Sequence, residues 1–270
     1  MKYGFLGGLA VAAVWYGVAL PGAPARGASS VRRQDHWNWS GRVASGKTIA
    51  IYGINGSVSA EPATGDQVQV TADKRARRSD TDDVRLVVVE HDGGVTICAV
   101  YPNSRGRTTT CDASGLHNTN TSNNDVEVEF TVRVPRGVNF DGNTVNGGVE
   151  AVNLTGVVSI ATVNGGARLE TSGGEASAET VNGSVTAIVH SLGSQPMRFH
   201  TVNGAVNLSL PAGLSADLDA RTVNGSIDSD FPISVQGRVS PRRLSGRIGQ
   251  GGRTLDLETV NGSIRLRQIP

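Results

Sequence analysis

The sequence predicts an all-β chain whose larger part is wound as a parallel β-solenoid, with coils of about 18–21 residues following a more irregular β region. Three observations predict it. The tetrapeptide Thr-Val-Asn-Gly begins at Thr144, Thr162, Thr180, Thr201, Thr222 and Thr259, at spacings of 18, 18, 21, 21 and 37 residues. No long window shows a helical period, whereas several segments alternate apolar and polar residues with the period of two that marks a strand. The chain also has 35 Gly but only 5 Phe, 4 Tyr and 3 Trp in 270 residues, so its core must be built from Val, Ile, Leu and Ala. The glycines have no Gly-X-Y period and Pro numbers only 10, which excludes collagen and Pro-rich disorder. A net charge of +1 provides no global field for drawing in nucleic acid or an anionic membrane, so no nucleic-acid partner is expected.

Taken in order, residues 1–25 read as a signal peptide. A start carrying Lys2 precedes the uncharged stretch Gly4 to Leu20, and a small-x-small site falls at Ala23 and Ala25. The competing reading is an uncleaved anchor helix, the one route by which this chain would meet a membrane. Residues 26–47, with Trp37 and Trp39, read as an unpatterned polar arm, 48–140 as the irregular β region and 141–270 as the regular repeats. Within the irregular region, Asp125 to Pro135 alternates most cleanly: Val126, Val128, Phe130, Val132 and Val134 share one face. Cys98 and Cys111 are the only cysteines and follow the leader, so in an oxidising compartment they should pair.

Asn-Gly taken alone signals a hairpin. Recurrence of the same four residues at every second corner points instead to stacking, about 4.8 Å apart along an axis. Asn146, Asn164, Asn182, Asn203, Asn224 and Asn261 would then form an amide ladder. Gly147, Gly165, Gly183, Gly204, Gly225 and Gly262 would fit corners where a Cβ clashes with the coils above and below. Within each quartet the period of two sets Val against Thr, and the expectation is Val145, Val163, Val181, Val202, Val223 and Val260 inward with the Thr column outward. A diverged upstream copy stands at Ile54-Asn55-Gly56-Ser57. The 37-residue gap predicts a further degenerate coil at Leu244-Ser245-Gly246-Arg247-Ile248. Thr155-Gly156 and Ser172-Gly173-Gly174 mark half-period corners.

These features resemble a bacterial family of exported β-repeat proteins named "putative adhesin", formerly catalogued as a domain of unknown function. The residues that carry the likeness are the leader, the alternating strand running into Val134-Pro135-Arg136-Gly137, and the succession of Thr-Val-(Asn/Ser)-Gly-(Ser/Gly)-(Val/Ile) units. Cys98 and Cys111, beside Tyr101-Pro102, look like a variant of the same family. The resemblance covers roughly residues 48–268. It implies a single-stranded right-handed parallel β-helix on the cell envelope or outside, and it brings no catalytic residues.

Candidate chemistry is sparse. Asp217/Asp219 and Asp228/Asp230 each place two carboxylates on one strand face, the arrangement a glycosidase would need. The same spacing is what any solvated strand shows. His36, His91, His117, His190 and His200 have no metal-ligand spacing, and no G-x-S-x-G elbow occurs. The basic run Lys74 to Arg78 is followed at once by Asp80, Asp82 and Asp83, which cancel it at distance. An outward Thr rank could order water as ice-binding solenoids do, although such surfaces need two parallel ranks. The reading is a non-enzymatic, exported scaffold or adhesion-type surface in the periplasm, on the cell surface or secreted. It would bind an envelope or extracellular protein or polysaccharide and need no cofactor or metal. The alternative is a carbohydrate-active or sugar-binding β-helix.

Overall fold

The computed structural model describes residues 33–103, 109–118, 121, 123–172, 175–193, 195–235 and 240–269. The leader, residues 26–32 of the arm, and Gly173 and Gly174 lie outside the described residues. Among the described residues, two long, mostly parallel sheets of ten and eleven strands face each other, and a two-stranded ribbon lies beside them.

The chain passes from the eleven-stranded sheet to the ten-stranded sheet and back, one strand of each making a coil. Among the described residues eight coils stack along the axis. Coil 1 pairs Gly94–Val100 with Glu127–Val134, coil 2 Thr48–Tyr52 with Val58–Pro62, coil 3 Asn139–Asn143 with Val149–Leu154, and coil 4 Val158–Asn164 with Ala167–Thr171. Coil 5 is Ala176–Asn182 with Val185–Val189, coil 6 Met197–Asn203 with Val206–Pro211, coil 7 Arg253–Asn261 with Ile264–Ile269, and coil 8 Ala216–Asn224 with Ile227–Ser229. Chain order and stacking order differ at both ends. Coil 2 precedes coil 1 in sequence, and coil 7, the last made, lies between coils 6 and 8.

Inward residues form columns. Val95, Ile49, Phe140, Val158, Ala176, Met197, Leu255 and Leu218 follow one another in register, and next to them run Ile97, Ile51, Gly142, Ile160, Ala178, Phe199, Leu257 and Ala220. Size is balanced between and along the columns: the Phe140 ring lies over Gly142 of the next column, and Phe199 stacks in register with Ala178 of its own.

Antiparallel strands cover both ends. At the first, Val68–Ala76 pairs with Glu127–Val134 and with Arg33–Gly41, while Arg85–His91 pairs with Gly94–Val100. Residues 33–41, which carry no recognised pattern in the sequence, are thus a strand whose Trp37 and Trp39 pack onto the core. At the other end the expected degenerate coil at Leu244 to Ile248 is absent. Arg243–Ile248 runs antiparallel to Ala216–Asn224 and carries Ile233–Val235 on its far side. Its Gly246 is wedged against the Ser234 backbone instead of turning a corner.

The orientation of the quartets is also corrected. Thr144, Thr162, Thr180, Thr201, Thr222 and Thr259 are buried, whereas Val163, Val181, Val202 and Val223 are exposed and Val145 and Val260 half-buried. The strand before each quartet sets the phase: Val158 and Ile160 point inward, so Thr162 must as well. The outward Thr rank needed to order ice does not exist.

Candidate functional surfaces

Every Thr-Val-Asn-Gly corner repeats one bonding unit. The buried Thr hydroxyl donates to the Gly carbonyl of the neighbouring coil: Thr144 to Gly56 (2.9 Å), Thr162 to Gly147 (2.7 Å), Thr180 to Gly165 (2.8 Å), Thr201 to Gly183 (2.8 Å), Thr259 to Gly204 (2.9 Å) and Thr222 to Gly262 (2.8 Å). This bond allows a hydroxyl to occupy an apolar column without the cost of an unpaired buried donor. Beside it, in the order Asn55, Asn146, Asn164, Asn182, Asn203, Asn261 and Asn224, each Asn Nδ2 after the first donates to the Oδ1 of the Asn before it at 2.7–2.9 Å. A Cβ on Gly147, Gly165, Gly183, Gly204, Gly262 or Gly225 would collide with the carbonyl oxygen of the neighbouring coil's glycine. Close approach selects glycine here. Of these six, only Gly147 has a positive φ, +156°.

Outside this corner the surface is a Val rank, then a shallow groove of about 550 Å³ in which Ser57, Gly148, Gly166 and Ser184 lie beside Glu150 and Arg168, themselves paired at 3.0 Å. A second groove of about 340 Å³, at the end covered by Arg243–Ile248, contains Asp217, Asp219, Ser245, Arg247 and Thr254. The Asp217/Asp219 pair is therefore brought together in a concavity. Arg221 donates to Asp219 and holds its carboxyl below the usual range, with Arg243 adding to the effect, and Arg247 stands 3.9 Å from Asp217. Asp228 and Asp230 both bind one guanidinium, Arg267, at 2.7 and 2.9 Å.

One carboxyl is shifted the other way. Asp141 lies half-buried on the outer face of coil 3, and burial raises its pKa although it accepts from Asn143 (2.9 Å) and Tyr52 (3.1 Å). Burial, with the neighbouring Asp141 charge, pushes the Tyr52 phenol up to about 12. The ribbon Thr110–Asp112/Gly115–His117 is held over this face by the Cys98–Cys111 bridge, with Cα atoms 6.1 Å apart, and Gly115 lies flat on the Tyr52 ring. Sequence reading identified the cysteines but missed Tyr52 and Asp141, which meet only through stacking of coils 2 and 3.

The histidines are dispersed. His36 lies 2.8 Å from Asp73, His117 3.1 Å from Asp112, His190 3.1 Å from Glu170 and His200 3.4 Å from Asp256, while His91 meets Thr96. Among the described residues no three His, Cys, Asp or Glu converge as a metal site. Nor is any helix among them long and apolar enough to cross a membrane. Two cations of the basic run are taken up by partners within the fold. Lys74 is buried against Asp35 (2.6 Å) and the Thr81 carbonyl, Arg75 pairs with Glu129, and Asp125 caps the backbone of Arg78 and Ser79. Asp80 caps the short turn Thr81–Asp83.

A family model described as Toastrack DUF4097 matches residues 114–267, more than half of the chain. No curated protein matches. Among solved structures, one from Clostridium sporogenes, called a "putative cell adhesion protein", is 10% identical with a TM-score of 0.49 and covers 88% of this chain and 100% of its own. A "putative adhesin" from Bacteroides fragilis is 9% identical with a TM-score of 0.29, covering 87% of this chain and 97% of its own. Another from Parabacteroides merdae is 9% identical with a TM-score of 0.26 and the same coverage.

Proposed function

Because the chain belongs to the Toastrack DUF4097 family, we propose that it is an exported, non-enzymatic β-solenoid of the cell envelope or cell surface that offers its outer faces for scaffolding or adhesion. On this reading the chain is a single right-handed parallel β-helix, its leader directs export, and its partner is an envelope or extracellular protein or polysaccharide.

The observation that carries the proposal is the state of the carboxylates. A glycosidase or lyase needs an acid poised near neutral pH beside a second, free group. Asp219 is drawn down by Arg221 and Arg243, and Asp228 and Asp230 share Arg267. Asp141, the carboxyl whose pKa is raised, accepts from Tyr52 and Asn143 beneath the disulfide-held ribbon. The stacked columns of apolar side chains fill the space between the sheets, and the disulfide suits an oxidising compartment.

The groove with Asp217, Asp219 and Arg247 keeps a second reading in play, that of a polysaccharide-binding face. A glycan array together with a polysaccharide-cleavage assay on the purified protein separates the cases. Binding without turnover supports an adhesive surface, and turnover abolished by Asp217→Asn would replace the non-enzymatic reading. Cell fractionation tests export, with the chain expected outside the cytoplasm.

A further inference from the structure

Coil 8 is made 21 residues after coil 6, the same step that separates coil 5 from coil 6, yet coil 7 stands between them. The bonds across the insertion are those found at other corners. Thr259 donates to Gly204 and Thr222 to Gly262, Asn261 donates to Asn203 and Asn224 to Asn261, at 2.7–2.9 Å. Corner chemistry therefore does not decide which coil follows coil 6. The specific contacts of coil 7 lie on its flanks: Arg267 reaches Asp228 of coil 8 and Asp230 just after it, Arg265 reaches Asn207 of coil 6 at 3.4 Å, and Asp256 meets His200.

The segment that delivers coil 7 into this slot is Gly249-Gln250-Gly251-Gly252. Its three glycines take φ of +58°, +76° and +128°, and open space surrounds the position a Cβ would occupy on Gly252. Such a segment can follow more than one path with little strain.

We propose that residues 253–269 are an exchangeable element. Hinging at 249–252, coil 7 of one molecule enters the slot between coils 6 and 8 of a second copy, which returns its own coil 7, and a reciprocal dimer results. The slot selects this occupant because it needs a Thr hydroxyl and an Asn amide at the corner, Leu255 and Leu257 inward, and Arg265 and Arg267 outward. A second copy supplies all of these in register. The bonds and the buried surface are the same in both forms, so concentration and hinge conformation set the balance.

The outward Val rank gives the test. Val202 and Val260 are in-register neighbours on coils 6 and 7, between the aligned Thr201/Thr259 and Asn203/Asn261 pairs. A full chain carrying both Val202→Cys and Val260→Cys should close a bridge within one molecule when dilute, and failure to close would remove the slot itself. Chains carrying only Val202→Cys are then mixed with chains carrying only Val260→Cys, warmed together at high concentration and oxidised. The control mixture pairs Val202→Cys with Val181→Cys, adjacent positions on coils 5 and 6 that exchange does not bring together between molecules. A covalent two-chain species joining 202 to 260, several-fold above the control, is the expected result. Equal yields in the two mixtures would overturn the proposal.

Discussion

At the level of single residues, the quartet does its work through the Thr hydroxyl. Thr180 is buried and donates at 2.8 Å to the Gly165 carbonyl, whereas Val181, one residue on, is exposed. Thr180→Val keeps the shape but leaves that carbonyl without its donor, and a loss of about 1–3 kcal/mol is expected. Val181→Thr should change stability by less than about 0.5 kcal/mol. Urea denaturation of the two variants distinguishes them, and the reverse ranking would contradict the inward Thr column. Asp141 sets a pH dependence. Its pKa is raised in the folded protein by burial, so between the unfolded value and the folded one the native state binds more protons. Its contribution to stability is therefore fully present below the unfolded value and declines as pH rises through the folded one. Asp141→Asn should remove that decline, read as a flatter profile of melting temperature against pH above the ordinary carboxylate range. The inward phase of Thr was legible in the residues before each quartet, in Val158 and Ile160 ahead of Thr162, but not in the quartet considered alone.

At the level of elements, the coil is fixed by its corner and the ribbon by its disulfide. Gly183 approaches the Gly165 carbonyl so closely that Gly183→Ala must push two coils apart, with the Asn164–Asn182 and Thr180 bonds beside it. A loss above about 3 kcal/mol follows from a backbone collision that no rotamer change relieves, and chemical denaturation should show it. The same change at Gly213, where a Cβ meets open space, should be tolerated. Removing the bridge with Cys98→Ala and Cys111→Ala together should cost about 2–4 kcal/mol. The ribbon 110–117 should then exchange its amide hydrogens faster, while coils 4–6, which it does not touch, keep their protection. Coil period, corner residues and cysteines could all be seen in the sequence because each is a local pattern recurring at fixed spacing. The first strand, Arg33–Gly41, was hidden because its inward residues are Asp35, Trp37, Trp39 and Gly41, two aromatics flanked by a charge and a glycine.

Across the whole molecule, stacking order is what local pattern could not supply. Identical corners bond equally well to any neighbour, so the insertion of coil 7 between coils 6 and 8 rests on long-range partners such as Arg267 with Asp228 and Asp230. No repeat spacing encodes those. The same long-range pairing governs the surface field. A net charge of +1 leaves little general attraction for polyanions, and half of the densest basic run is spent within the fold, with Lys74 buried against Asp35 and Arg75 bound to Glu129. The chain should consequently pass through a heparin column without retention at physiological salt, where counterion release rewards only clustered free cations. Asp35→Asn together with Glu129→Gln removes the carboxylates that offset both cations and raises the net charge by two. That variant should be retained at low salt and released as salt is added. Retention of the unaltered protein at physiological salt would reveal a basic surface that the pairing of Lys74 and Arg75 does not account for.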